Sequence, residues 1–146
     1  MKREITVAIG LNHLTAPVEE REKLAFSTQE LPAALASIGG RIGGAVILST
    51  CNRTELYATG SGDPAEGRRL IELLIEEKGA DVDASRFYAL RHDEAVRHLF
   101  RVAAGIESMV LWESQILGQV REAMSAATEA GTLNGVLSRE IGRAHV

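Results

Sequence analysis

Apolar and polar residues alternate along EITVAIGL, and this period of two, carried partly by β-branched side chains, predicts a first strand over residues 4 to 11. The next stretch, TAPVEEREKLAF, changes period. Pro17 stands where a helix begins, acidic residues follow in its first turn, and Leu24 closes it. A loop carrying Asn12, His13 and Thr15 joins strand to helix. STQE at 27 to 30 has the form of a capping box and opens a helix through LPAALASI, with a stop expected at Gly39 and Gly40. After the glycine-rich GGRIGG, the unbroken apolar run AVILST reads as a buried central strand and TELYATG as its partner, the two joined closely around Asn52 and Arg53. DPAEGRRLIELLIEEKG repeats apolar residues at helical spacing with charges opposite, and Gly79 ends it. SRFYALR predicts a short fourth strand, and DEAVRHLFRVAAGI a helix with Asp93 near its start and Gly105 near its end. From Glu113 onward the pattern is helical, broken at Gly131. The elements add up to an α+β fold in one domain over residues 1–146: a small antiparallel or mixed sheet of about four strands with packed helices, then a helical C-terminal segment.

A chain of 146 residues can bury a core without disulfide or metal staples. Its single cysteine excludes an internal disulfide, and MKREITVAIG enters the strand pattern with no secretory signal. No apolar run reaches the roughly 20 residues of a membrane span. The expected setting is therefore the cytoplasm, with no membrane partner. A formal net charge of −4 argues against a general nucleic-acid binder. Arginine supplies 13 of the 16 basic residues, a bias that suits two-pronged recognition of carboxylate or phosphate.

That bias changes the picture at STCNRTELY, residues 49 to 57, which holds the only cysteine. Arg53 follows Cys51 by two places, so strand geometry would turn its guanidinium to the thiol's side, where a fixed cation favours the nucleophilic thiolate. The other reading is a small buried hydrophobe at the end of AVIL. The polar neighbours Thr50, Asn52, Arg53 and Thr54 favour a strand-end loop, where binding residues collect. His98 sits in a helix, where a lone histidine is ordinarily a half-buried polar or surface residue. With one cysteine and no HxxxH or HExxH spacing, no structural zinc site is expected. GGRIGG precedes its strand and GxGxxG is absent, so no dinucleotide fold is expected either.

Three blocks carry a more specific signal: GLNHLTAPVEEREKLAF at 10 to 26, LSTCNRTELY at 48 to 57, and HLFRVAAGIESMVLWESQILGQVREA at 98 to 123. Together, in this order and over almost the whole chain, they resemble the N-terminal catalytic domain of glutamyl-tRNA reductases. The resemblance implies an enzyme in which a cysteine attacks the glutamyl ester of glutamyl-tRNA and the resulting thioester is reduced with NADPH to glutamate-1-semialdehyde, for tetrapyrrole (haem) synthesis. It implies that Cys51 is the nucleophile and His98 the histidine important for activity. Thr50, Asn52 and Arg53 would help form the glutamate pocket, and Ser108, Glu113, Ser114, Gln115 and Gln119 match the remaining substrate-contacting positions. It further implies no metal, NADPH held by a domain absent from this chain, a homodimer in the full-length family, and glutamate-1-semialdehyde aminomutase as a further partner.

The residue types suit that chemistry. A glutamyl ester brings a side-chain carboxylate, an α-ammonium and a developing oxyanion. Arg53 can take the carboxylate with two bonds and Glu113 the ammonium, while Thr50, Ser108, Gln115 and Gln119 offer neutral bonds. One position departs from the family pattern: Trp112 stands where a glycine is usual. Its ring either packs outward or enters the substrate's space, and outward packing is expected because a large aromatic gains by covering apolar surface. Two other functions fit the same residues: a non-catalytic aminoacyl-tRNA-binding module, and a cysteine-dependent esterase.

Overall fold

The computed structural model describes residues 4–104 and 115–145; Gly105, Ser108, Trp112, Glu113 and Ser114 lie outside them. The elements run β1 (Ile5–Asn12), α1 (Val18–Leu24), α2 (Leu31–Ile42), β2 (Ala45–Ser49), β3 (Arg53–Gly60), α3 (Glu66–Lys78), β4 (Tyr88–Arg91), α4 (Asp93–Ala103), α5 (Gln115–Ala130) and α6 (Gly135–His145). The strands form one antiparallel sheet in the order β2-β3-β1-β4. The α+β architecture is the one the sequence predicts.

Alternation along the strands divides the core in two. Val7, Ile9, Leu11, Ile47 and Leu56 face Leu24 of α1, Leu35 and Ile38 of α2, and Leu70 and Leu74 of α3. Ala8, Val46, Leu48 and Tyr57 face Leu99 of α4, Val120 and Ala127 of α5, and Leu137 and Ile141 of α6. The sheet is thus the middle of three layers, and burial on both faces removes the polar half of the alternation. This corrects one expectation. AVILS, read as a central strand, is the edge strand β2. It is as apolar as a central strand because helices cover both faces. Its edge is also covered at Ala45, whose N–H donates to the Thr132 carbonyl (2.8 Å) while its carbonyl accepts from the Thr132 hydroxyl (2.8 Å).

The capping box forms as expected: the Ser27 N–H donates to Glu30 Oε1 (3.0 Å) and the Glu30 N–H to Ser27 Oγ (3.2 Å). The helix it opens does not stop at Gly39 and Gly40, however. It continues to Ile42 and turns at Gly43, where φ is +88°. Gly39 serves packing instead, because a Cβ there would lie 2.4 Å from Thr132 Cγ2. Gly79 closes α3 in the left-handed conformation, with its N–H donating to the Ile75 carbonyl at 2.9 Å. Gly131, also at positive φ, separates α5 from α6. No described helix is long and apolar enough to cross a membrane.

Candidate active site

Cys51 lies in the short connection between β2 and β3, and it is exposed. The chain leaves β2 after Ser49 and regains strand geometry at Arg53, so residues 50 to 52 must turn with few residues to spare. The turn is closed by the Thr50 N–H donating to the Arg53 carbonyl (2.8 Å) and the Asn52 N–H donating to Thr50 Oγ1 (3.1 Å). From the β1–α1 loop the His13 N–H donates to the Asn52 carbonyl (3.0 Å), and from α1 the Arg21 guanidinium donates to the Cys51 carbonyl (3.0 Å). That β1–α1 loop is itself braced by Asn12 Oδ1, which accepts from the Leu14 N–H at 2.9 Å.

The sequence reading placed the Arg53 guanidinium beside the thiol on strand alternation. Strand geometry begins only at Arg53, after the turn, so alternation does not carry that placement. Arg53 is 2% exposed, and its guanidinium donates to Glu55 Oε2 at 3.4 Å. Glu55, which the sequence reading passed over, is the hub of the site: fully buried, it accepts at Oε1 from the Tyr57 hydroxyl (2.8 Å) and at Oε2 from the Tyr88 hydroxyl, with His98 Nε2 against the same oxygen. His98, on α4, is nearly covered, and its ring lies 5.2 Å from that of Tyr88.

Register explains how these groups meet. Arg53, Glu55 and Tyr57 point to one face of β3 at spacing two. Gly10 of β1 pairs with Glu55 on one side and with Tyr88 on the other. A bare glycine between them leaves the space through which the Tyr88 hydroxyl reaches the carboxylate. A Cβ at Gly10 would lie 2.5 Å from the Thr54 carbonyl oxygen and 2.8 Å from Glu55 Cγ. Gly10→Ala is therefore expected to destabilise the chain by about 1–3 kcal/mol, as overpacking does, and to part Glu55 from Tyr88. Urea unfolding measures the first effect and the ultraviolet titration of the tyrosines the second.

Charge is balanced within the row. Burial opposes ionisation of Glu55, yet the His98 hydrogen bond and charge, the Arg53 charge and the Tyr88 hydroxyl outweigh it and hold the carboxyl below its usual range. Burial first, and the Glu55 carboxylate second, push the phenols of Tyr57 and Tyr88 well above the ordinary tyrosine value. Glu55 is therefore an acceptor and both tyrosines are donors at neutral pH.

Of the residues singled out from sequence, Thr50, Cys51, Asn52 and Arg53 share this turn, and His98 is tied to the strand that leaves it. Gln119, on α5, lines a groove with Phe26, Leu31 and Ser49, so it lies beside the end of β2. Gln115 is the first residue of α5. Ser108, Glu113 and Ser114 lie outside the described residues. A groove of about 760 Å³ lined by Ile5, Glu66, Arg91 and His92 lies at the other end of the sheet, where Ile5 pairs with Gly60, and has no part in this cluster. Among the described residues no group of three His, Cys, Asp or Glu could hold a metal ion.

The arrangement puts an exposed thiol on a pinned turn that leads into the strand whose buried row holds an imidazole. Its likeness to known proteins is specific. Residues 9–145 match the family described as glutamyl-tRNA(Glu) reductase, N-terminal domain. The glutamyl-tRNA reductase of Stenotrophomonas maltophilia is 48% identical over 135 residues, covering 90% of this chain and 30% of that protein. That of Pelotomaculum thermopropionicum is 46% identical over 139 residues, covering 92% and 31%. The solved glutamyl-tRNA reductase from Methanopyrus kandleri superposes with a TM-score of 0.80 at 39% identity, over 96% of this chain and 32% of that one. The chain thus spans about a third of the length of the relatives it matches. With a match that takes in all but the ends of the chain, this protein belongs to the family of glutamyl-tRNA reductase N-terminal domains.

Proposed function

We propose that this chain supplies the acyl-transfer step of a glutamyl-tRNA reductase. The Cys51 thiolate attacks the ester carbonyl of glutamyl-tRNA, a carbon–sulfur bond replaces the carbon–oxygen bond, and the terminal ribose hydroxyl leaves with a proton. The observation that carries this reading is the placement of the single cysteine, exposed on a turn held by four hydrogen bonds and four residues from the carboxylate that fixes His98. His98, oriented by Glu55, transfers the proton. Arg53 takes the glutamate side-chain carboxylate, its guanidinium oriented by the same Glu55. Glu113 takes the ammonium, and Thr50, Asn52, Ser108, Ser114, Gln115 and Gln119 complete the pocket.

In the same reading NADPH supplies hydride to the thioester, giving glutamate-1-semialdehyde for tetrapyrrole synthesis in the cytoplasm. The described residues do not fit that cofactor: the sheet is antiparallel throughout, and the β1–α1 turn contains no glycine to cradle a pyrophosphate. Reduction, homodimer formation and any contact with an aminomutase are assigned to the longer proteins this chain resembles.

Incubation with glutamyl-tRNA followed by mass analysis tests the reading: a glutamyl adduct confined to Cys51 is expected. Transfer of tRNA-free acyl groups at the same rate would favour an esterase instead, and tRNA binding with no adduct a binding module. Arg53→Lys is expected to lower the acylation rate by about 1.5–3 kcal/mol in activation free energy, since a point charge does not reproduce a two-bond fork. Equal rates with glutamyl- and glutaminyl-tRNA in the unmodified chain would count against a carboxylate clamp.

A further inference from the structure

The turn that carries Cys51 presents three successive carbonyl groups, and each is held by a different partner. The Arg53 carbonyl accepts from the Thr50 N–H within the turn, and the Asn52 carbonyl accepts from the His13 N–H of the β1–α1 loop. Both are backbone bonds, which any side chain at those positions would permit. The Cys51 carbonyl is different. Its donor is a side chain thirty residues earlier, the Arg21 guanidinium, with Nη1 at 3.0 Å.

Arg21 belongs to the last turn of α1, and α1 is anchored from beneath by the fully buried Leu24. The arginine is half-buried, and its Nε is enclosed with no hydrogen-bond partner. An enclosed guanidinium nitrogen without a partner costs free energy, so the side chain is not held there by saturating its own donors. What it gains is the charge-assisted bond to the one carbonyl that belongs to the nucleophile.

We propose that Arg21 is a positioning residue for Cys51: its guanidinium ties the backbone of the cysteine to α1 and fixes where the thiol stands for attack on the acyl carbon. The proposal rests on the reading of Cys51 as the acyl acceptor, and it adds α1 to the elements that build the site. Without the Arg21 bond the turn would keep its own Thr50 bonds and the His13 backbone bond to Asn52, but none to Cys51 itself, leaving the thiol several positions, and a displacement of about 1 Å at a reacting atom can cost roughly 10²-fold in rate. A reagent small enough to approach from any side is insensitive to that placement, which separates positioning from reactivity.

Two variants of the chain test it. Arg21→Met keeps a long apolar stem and removes every donor; Arg21→Lys keeps the charge and a single donor nitrogen with three N–H groups. Backbone amide exchange over residues 50 to 53 is expected to quicken about tenfold in Arg21→Met, with β3 protection beyond Leu56 unchanged, and to stay within about twofold of the unmodified chain in Arg21→Lys. Acylation of Cys51 by glutamyl-tRNA should fall about tenfold or more in Arg21→Met and recover most of that in Arg21→Lys, while iodoacetamide alkylation of the same thiol changes by less than about twofold. Unchanged exchange in both variants overturns the tether, whatever the acylation rates do. Loss of acylation in both variants with unchanged exchange would make Arg21 a substrate contact, and also overturns it. If Arg21→Met does not fold, Arg21→Lys decides: exchange or acylation altered about tenfold despite a retained donor sinks the proposal. A failure of the unmodified chain to be acylated would refute the nucleophile reading alone, because the exchange comparison does not use the tRNA.

Discussion

Cys51→Ser is expected to abolish the glutamyl adduct while leaving the fold intact. The two halves of this expectation have separate physical causes. A neutral alcohol on the same turn is a far weaker nucleophile than a thiolate, so a loss of about 10³-fold or more is the scale involved. Stability should move by no more than about 0.5 kcal/mol, the usual range for an exposed position. The four bonds that shape the turn all use backbone atoms of Cys51, Asn52 and Arg53 or the Thr50 side chain, and none uses the thiol. The variant therefore keeps its Arg21 contact. Adduct mass after incubation with glutamyl-tRNA, together with a thermal melt, measures both halves. A persistent adduct would relocate the nucleophile, and a large fall in melting temperature would mean that the thiol packs against the domain.

What could be read from the sequence followed from local rules. The period of β1, the capping box at Ser27 and Glu30, the glycine ends of α3 and α5, and the charged face of α3 each depend on a few neighbouring residues, and the structure shows them where those rules put them. The misreadings share a different origin. AVILS imitates a central strand because helices bury both its faces, and no local pattern records that its outer neighbour is a loop. Gly39 and Gly40 look like a helix end, yet Gly39 is small for the sake of Thr132, ninety-odd residues on in the chain.

The site shows the same division. Thr50, Cys51, Asn52 and Arg53 are contiguous, so one short stretch of sequence contains them. Glu55, Tyr57, Tyr88 and Gly10 come from three strands and make sense only in register. A signal for part of this was present: RTELY carries an arginine, a glutamate and a tyrosine at spacing two, on the same face of a strand whose other face is Thr54 and Leu56. A charged pair inside a strand flanked by apolar runs needs buried partners, and that requirement alone points to His98 or another donor across the sheet. Arg21 left no such trace, since a basic residue in the last turn of a short helix already has an ordinary explanation in the helix dipole.

The second large effect is expected at Glu55. Glu55→Gln preserves the shape of the side chain and one acceptor oxygen, but it removes the charge that the Arg53 guanidinium and the His98 ring both face. Removing one partner from a buried ion pair costs about 3–5 kcal/mol, because the other charge stays buried without compensation. At about 2–4 °C per kcal/mol for a chain near this size, the melting temperature should fall by about 10 °C. The pH dependence carries a second signature. Glu55 has a lower carboxyl value in the folded than in the unfolded chain, so its contribution is present above the unfolded value and is lost as pH falls through the folded one. Tyr57 and Tyr88 are raised, so their contribution is full below the unfolded phenol value near 10 and is lost as pH rises beyond it. The unmodified chain should therefore melt highest between about pH 5 and 10, with a shoulder lost on either side. In Glu55→Gln the share of the acid limb due to this carboxyl disappears, whereas the alkaline limb persists, since burial is the largest cause of the tyrosine shifts and burial remains. Melts taken from pH 3 to 10.5 on both chains separate these limbs. A variant that melts within about 2 °C of the unmodified chain, with the same acid limb, would show that desolvation of the cluster cancels its attractions. The row would then owe its place in the fold to holding His98 alone, and acylation rates in Glu55→Gln would have to carry the whole of its effect.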